Sequence, residues 1–144
     1  MAWEAVAAPK LDQDLIVFDG DCVLCSYWAR FVHERDIAQR FKFVAIQSPF
    51  GRALAARFGV DADAPQTNLA AIDGRAYFKS DAAIEILGVL PGWRWARVAR
   101  FVPRTIRNWL YDIIARRRYR WFGRKSQCWA GDPAFAARIL DAAP

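Results

Sequence analysis

The fold is decided by one stretch, Leu15-Ile-Val-Phe18-Asp19-Gly-Asp21-Cys22-Val-Leu-Cys25-Ser26. Its first four residues, 15–18, are apolar and predict a short buried strand. The next three, 19–21, are turn formers. A helical pattern begins at Cys22 and runs to about Arg35. A Cys-x-x-Cys motif at a junction of strand, turn and helix is typical of a redox-active cysteine pair.

The position of the two cysteines explains their expected reactivity. The start of a helix has free N–H groups and a partial positive charge, which stabilise a thiolate, and the thiolate is the nucleophile. Two intervening residues close about one helical turn, so both sulfurs lie near the helix start. We expect Cys22, nearer the exposed helix start, to attack a disulfide and Cys25 to resolve the mixed disulfide.

A second strand and helix follow this motif. Residues 41–46 are rich in aromatic and β-branched side chains and predict a strand. Because a helix connects it to the first strand, the two should be parallel. Ser48 as cap and Pro49 at the first helical position predict the start of the second helix, which Gly59 ends.

A hairpin and a third helix complete the predicted order of strands and helices. Asp73-Gly74 between two short β-like runs predicts an antiparallel hairpin. A third helix is expected over 82–87, capped by Ser80 or Asp81. The resulting order, β-α-β-α-β-β-α, is that of an α/β protein with a thioredoxin-like fold.

We divide the chain, as one domain, into a flexible leader (1–14), a thioredoxin-like core (15–90) and a basic, tryptophan-rich helical extension (91–144). The core and leader together carry a net charge of −3, whereas the extension carries +9. A short helix is expected over 93–101 and a longer one over 105–122.

The longer helix of the extension has an apolar stripe at helical spacing. Its members are Ile106, Trp109, Leu110, Ile113 and Ile114. We expect this stripe to clamp the helix onto the core while the arginines point to water. The alternative is a weak contact of the basic helix with an anionic membrane surface, which the interleaved tryptophans favour over nucleic acid.

Composition narrows the class of protein. The chain has 144 residues, 55% of them hydrophobic, and no apolar run long enough for a transmembrane helix. No signal peptide is recognised at residues 1–10. Three cysteines are too few for a structural disulfide framework. We therefore expect a cytoplasmic protein that needs neither a metal nor another cofactor.

At these residues the chain resembles the DCC family of thiol-disulfide oxidoreductases, named for one Asp and two Cys, which match Asp19, Cys22 and Cys25. The resemblance extends over about residues 14–130, and Cys128 lies where many members have a third cysteine. Further matching stretches are 41–48, 80–87, 103–107 and 111–123. The resemblance implies a thioredoxin-like fold, a redox role, and protein or small-molecule thiols and disulfides as substrates.

Zinc binding is an alternative use of the cysteines. Zinc could take Cys22, Cys25, Cys128 and His33 as ligands, but zinc ligands are usually paired at short spacing and the last two are unpaired. We therefore expect His33 to be an ordinary surface residue of the helix. Cys128 is equally compatible with a third redox thiol and a small core residue.

The aspartates of the motif also allow two interpretations. Asp19 is either a proton acceptor for the thiols or a turn-stabilising residue, and the resemblance favours function; Asp21 is interpreted as a helix cap. The motif also fits the start of a haloacid-dehalogenase-type phosphatase, with Asp19 as nucleophile, Asp21 as acid/base and magnesium. That fold needs further site residues, and the remaining candidates are Ser48, Lys79 and Asp132. Pro65 is interpreted as a loop proline rather than a cis-proline.

Overall fold

The structure, a computed structural model, describes residues 6–7, 14–61, 67–123 and 133–139. It is a mixed α/β arrangement of one mixed sheet and several helices. The strands are β1 (Val6–Ala7), β2 (Asp14–Phe18), β3 (Phe41–Ala45), β4 (Leu69–Ile72) and β5 (Arg75–Phe78). The helices are α1 (Val23–Arg35), α2 (Pro49–Phe58), α3 (Lys79–Gly88), a 3₁₀ helix (Arg94–Phe101), α4 (Arg104–Phe122) and α5 (Pro133–Ala136).

The sheet has the strand order β1-β5-β4-β2-β3. β2 pairs in parallel with β3 and antiparallel with β4, and β4 pairs antiparallel with β5. The predicted parallel pair and hairpin are therefore both confirmed. At the hairpin, Asp73 and Gly74 have φ angles of 51° and 80°, which fits the turn that suits the twist of two antiparallel strands.

β1 differs from the sequence prediction. Residues 1–14 were expected to be a loose leader, but Val6 and Ala7 pair antiparallel with Ala76 and Arg75. Pairing along the outer edge of β5 satisfies backbone groups that would otherwise be unpaired. Two residues carry too little pattern for such an edge strand to be recognised from sequence.

The helix caps were predicted with mixed success. Ser48 caps α2, and Gly59 ends it in the left-handed conformation at φ 75°, as expected. Asp21 does not cap α1, because the Cys22 sulfur takes that role. α3 starts at Lys79 without a side-chain cap, so the prediction of a Ser80 or Asp81 cap is wrong.

The core lies on both faces of the sheet. Alternate residues of β2 point to opposite sides, with Ile16 in the cluster beneath α1 and α3, and Val17 in the cluster beneath α2. Phe135 of α5 is fully buried in the first cluster, where its ring packs 5.1 Å from that of Phe43. The short last helix therefore contributes to the core of the sheet.

α4 packs the opposite way round from the prediction. Trp109 is 60% exposed and Leu110 51%, so the apolar stripe does not clamp the helix onto the core. The face that packs is polar: Arg107 lies 2.7 Å from Asp81 of α3. Further α3–α4 contacts join Ser80 to Asn108 and Lys79 to Asp112. Among the described residues, no helix is both long and apolar enough to cross a membrane.

Two residues expected at the surface are enclosed instead. Arg118 of α4, expected in water, is buried. His33 of α1 lies partly buried, with Nδ1 2.8 Å from Arg138. Arg138 also pairs with buried Asp36 at 2.6 Å. The Arg138 contacts bring residues 133–139 onto α1, which periodicity within α1 alone does not reveal.

Candidate active site

The two cysteines of the motif lie together at the start of α1. Cys22 is the residue before the first turn, and its sulfur accepts a hydrogen bond from the backbone N–H of Cys25 at 3.2 Å. The side chains of the two cysteines are also hydrogen-bonded to each other. Both cysteines are free thiols in this structure. The sequence therefore placed the dithiol correctly at the helix start.

This arrangement separates the acidities of the two thiols. The hydrogen bond from the Cys25 side chain lowers the pKa of Cys22 to about 7, and the Cys25 backbone N–H and Arg118 act in the same direction against the effect of burial. The pKa of Cys25 is raised, because its thiol is the donor to Cys22 and because the surrounding protein partly desolvates it. Cys22 is thus the sulfur that ionises first.

The solvent exposure of the two cysteines does not follow the order of their pKa values. Cys22 has no exposed surface, whereas Cys25 is partly exposed. What distinguishes the Cys22 sulfur is its lowered pKa, since thiolate character controls the reactivity of a cysteine.

Asp19 follows β2 directly and is buried. Its Oδ1 accepts hydrogen bonds from the Asp21 backbone N–H at 3.0 Å and from Gln47 Nε2 at 2.6 Å. Its Oδ2 accepts one from the Tyr119 hydroxyl and lies 3.5 Å from Arg118 Nη2. Both carboxylate oxygens are thus engaged, and the negative charge raises the pKa of both cysteines.

Two α4 residues complete this cluster from a distant part of the chain. Arg118 is a buried cation that lowers the pKa of both cysteines. The pKa of Tyr119 is raised to about 12, because it is partly buried and donates to the Asp19 carboxylate. A buried carboxylate with a buried guanidinium beside it avoids most of the penalty that either charge would incur alone.

A cavity of about 220 Å³ opens beside Cys25. Apolar side chains from β2, α1 and α4 dominate its lining, and Asn68, Tyr111 and Arg118 supply polar groups. The Tyr111 hydroxyl donates to Asn68 Oδ1 and accepts from the Asn68 backbone N–H, both at 2.9 Å, and burial raises its pKa. An apolar group of a substrate can therefore lie next to the Cys25 sulfur.

The alternative site residues are not brought together. His33 lies eleven residues after Cys22 on the same helix, about 16 Å along its axis, and contacts Arg138 instead. Ser48 caps α2, and Lys79 pairs with Asp112. Among residues 14–61, 67–123 and 133–139, no three His, Cys, Asp or Glu side chains form a metal-binding group. Cys128, Pro65 and Asp132 lie outside the described residues.

The sequence singled out Cys22, Cys25 and Asp19 as site residues but not the residues that contact them. Gln47, Tyr111, Arg118 and Tyr119 reach the site from other elements. All four lie in the stretches 41–48 and 111–123 that carried the family resemblance, and this was the one signal that could have singled them out. Their charge and polarity suggested exposure, because ordinary surface helices carry such residues.

The fold and site together define a class: mixed α/β proteins with two cysteines at the first turn of the helix that follows β2, an interior strand of the sheet. The chain belongs to the DCC1-like thiol-disulfide oxidoreductase family, whose model matches residues 16–124. The resemblance noted in the sequence is thereby confirmed.

Two relatives show the same membership. The uncharacterized protein YuxK of Bacillus subtilis is 32% identical over 136 residues, which cover 94% of this chain and 99% of YuxK. A chloroplastic DCC family protein of Arabidopsis thaliana is 34% identical over 116 residues, which cover 79% of this chain and 67% of that protein. No solved structure matches the chain at a significant level.

Proposed function

We propose that this protein is a thiol-disulfide oxidoreductase that works through Cys22 and Cys25 in a thioredoxin-like fold. The observation that carries the proposal is the hydrogen-bonded pair at the helix start, in which the pKa of Cys22 is lowered to about 7. The strand order β3-β2-β4-β5, with one parallel and two antiparallel pairings, supports the thioredoxin-like assignment.

The chemistry is reversible disulfide exchange. The Cys22 thiolate attacks one sulfur of a substrate disulfide, a mixed disulfide forms, and the other substrate sulfur leaves as a thiolate that takes up a proton. Cys25 then loses its proton and attacks the Cys22 sulfur of the mixed disulfide. A Cys22–Cys25 disulfide forms and the second substrate thiolate leaves. Two electrons pass from the dithiol to the substrate, and the reverse sequence oxidises a substrate dithiol.

Arg118 and Asp19 are proposed to set the charge around the pair. The guanidinium favours the thiolate, and the carboxylate opposes it while holding Arg118 in place. Asp19 is also a candidate acceptor for the proton that Cys25 loses, although its hydrogen bonds fit a positioning role equally well. The cavity beside Cys25 gives a substrate protein or small-molecule disulfide its route to the pair.

A redox titration with a trapping variant tests the proposal. In glutathione buffers the wild type should convert between a dithiol and a Cys22–Cys25 disulfide, identified by peptide mass. A midpoint near about −270 mV would mark a reductase and one near about −120 mV an oxidant. The Cys25→Ser variant should accumulate a stable mixed disulfide on Cys22, and Cys22→Ser should not. Absence of the internal disulfide at every potential would contradict the proposal.

A further inference from the structure

The outer face of α4 exposes large apolar side chains that the dithiol does not use. Five of them are between 45% and 60% exposed: Ile106, Trp109, Leu110, Ile114 and Trp121. Spacings of three, four and seven residues place them on one side of the helix. A contiguous apolar surface of this extent in water usually marks an interaction site.

The same face is positively charged. Arg117 and Arg120 are exposed and lie seven and ten residues after Leu110, so they continue the apolar stripe toward the end of the helix. Residues 91–123 contain nine arginines and one acidic residue, Asp112. Asp112 is bonded to Lys79 on the packed side of the helix. The face is therefore apolar along most of its length and cationic at one end.

The 3₁₀ helix before α4 also has exposed apolar side chains. Trp95, Val98 and Phe101 are 65%, 64% and 87% exposed, and the 3₁₀ helix packs against α3, as α4 does. Arg94 and Arg97 are exposed beside them. Aromatic side chains interleaved with arginines thus extend over two consecutive elements.

Two other occupants fit this surface less well. A second copy in a two-fold contact would place this cationic face against an identical one, and among the described residues the face offers no acid to pair with Arg117 and Arg120. Nucleic acid would contact the arginines but would leave Ile106 and Leu110 without a partner. An anionic bilayer has headgroups for the cations and an apolar boundary for the stripe.

We propose that the outer face of α4, defined by Ile106, Trp109, Leu110, Ile114, Arg117 and Trp121, binds the surface of an anionic membrane. The helix lies in the plane of the interface, with tryptophans at headgroup depth and arginines on lipid phosphates. Ile114 also lines the cavity beside Cys25, so the bound membrane lies next to the route to the dithiol. This proposal does not depend on the redox function.

Co-sedimentation of the full chain with vesicles tests it. Vesicles of phosphatidylglycerol and phosphatidylcholine should bind the wild type, and pure phosphatidylcholine vesicles should bind it far more weakly. Binding should fall steeply as salt rises. The Arg117→Gln/Arg120→Gln variant should bind about 25-fold more weakly, at about fivefold per cation. A matched variant of two exposed arginines elsewhere, Arg57→Gln/Arg75→Gln, should bind within about threefold of the wild type.

A second pair of variants tests the contribution of the apolar side chains to vesicle binding. Trp109→Ser/Leu110→Ser should weaken vesicle binding by about tenfold or more. Ile37→Ser, at a residue 82% exposed in the turn after α1, should leave binding unchanged. Both variants should keep the wild-type melting temperature and disulfide-exchange rate. Should a variant fail to fold, the wild type alone provides the test. Brominated anionic lipids should quench its tryptophan fluorescence, and an absence of quenching would contradict the proposal.

Three outcomes would overturn the proposal. The first is equal binding to neutral and anionic vesicles, or equal loss in the control variants. The second is a dimer that Trp109→Ser/Leu110→Ser converts to a monomer without any change in vesicle binding, which would assign the face to a second copy. The third is tighter binding of duplex DNA than of vesicles, lost in Arg117→Gln/Arg120→Gln.

Discussion

Arg118 Nη2 lies 3.5 Å from Asp19 Oδ2, although the two residues are 99 positions apart in the chain. Both are buried. The pair joins the turn after β2 to the last turns of α4, beside both cysteines. Since the guanidinium lowers and the carboxylate raises the pKa of the thiols, this contact couples tertiary packing to the chemistry of the dithiol.

Arg118→Gln should raise the pKa of Cys22 above about 7, because the cation that favours the thiolate is lost while Asp19 remains. Unfolding should become easier by about 3–5 kcal/mol, because a buried carboxylate loses its partner. The ultraviolet absorbance of the thiolate, followed across pH, measures the pKa of Cys22. Urea denaturation measures the free energy of unfolding. The neighbouring exposed residue supplies the control, since Arg117→Gln should change stability by no more than about 0.5 kcal/mol. Equal effects of both variants would contradict the buried role of Arg118.

Asp19→Asn should move the pKa of Cys22 in the opposite direction, below about 7, because the carboxylate raises it. Asp21→Asn is the matched control two residues later and should leave the pKa of Cys22 close to its wild-type value. The same thiolate titration measures both. A rise in the pKa of Cys22 after Asp19→Asn would show that loss of the Asp19 hydrogen bonds displaces Arg118, and the electrostatic account would then fail.

The hydrogen bond between the two cysteines can be tested with a pair of substitutions. Cys25→Ala removes the side-chain donor that is the largest cause of the low Cys22 pKa, so the pKa should rise toward the ordinary value. Cys25→Ser keeps a donor of similar size and should hold the pKa closer to 7. The pH dependence of Cys22 alkylation by iodoacetamide measures this pKa. Identical profiles for the two variants would exclude this hydrogen bond as the cause.

Stability of the reduced protein should depend on pH between about 7 and 9. The folded pKa of Cys22 is about 7 against an ordinary value of 9.0, so the unfolded chain binds more protons in this window. Stability therefore rises with pH and is lost as the pH falls through 7. A pKa difference of one corresponds to about 1.4 kcal/mol, so the shift of Cys22 contributes at most about 2–3 kcal/mol, and the raised pKa of Cys25 offsets part of this as the pH approaches 9. Urea denaturation at both pH values, with Cys22→Ser as reference, should show this difference disappear in the variant.

The packing of α4 predicts a contrast between two aromatic residues. Trp109→Ala should change the free energy of unfolding by no more than about 0.5 kcal/mol, because the side chain is 60% exposed. Phe135→Ala should cost about 3–5 kcal/mol, because it leaves a cavity against β2 and β3. Thermal unfolding compares them directly. A large loss of stability in Trp109→Ala would restore the clamp that the sequence suggested.

The sequence by itself determined the local parts of this protein. The apolar run 15–18, the turn and the Cys-x-x-Cys motif specified a strand, a helix start and a dithiol. Ser48, Gly59 and Asp73-Gly74 specified a helix and a hairpin with correct boundaries. Each of these signals acts through neighbouring residues, so the chain order is enough to recognise it.

Only the tertiary structure decided which face of α4 packs and what surrounds the dithiol. Periodicity showed an apolar stripe containing Trp109 and Leu110. The helix nevertheless packs through its polar side, where Arg107, Asn108 and Arg118 find partners on α3 and in the turn after β2. Hydrophobic pattern alone cannot weigh these contacts, because a buried polar side chain is tolerated only where a partner stands at the right place. Those partners are tens of residues away, and their positions exist only once the sheet and α3 are folded.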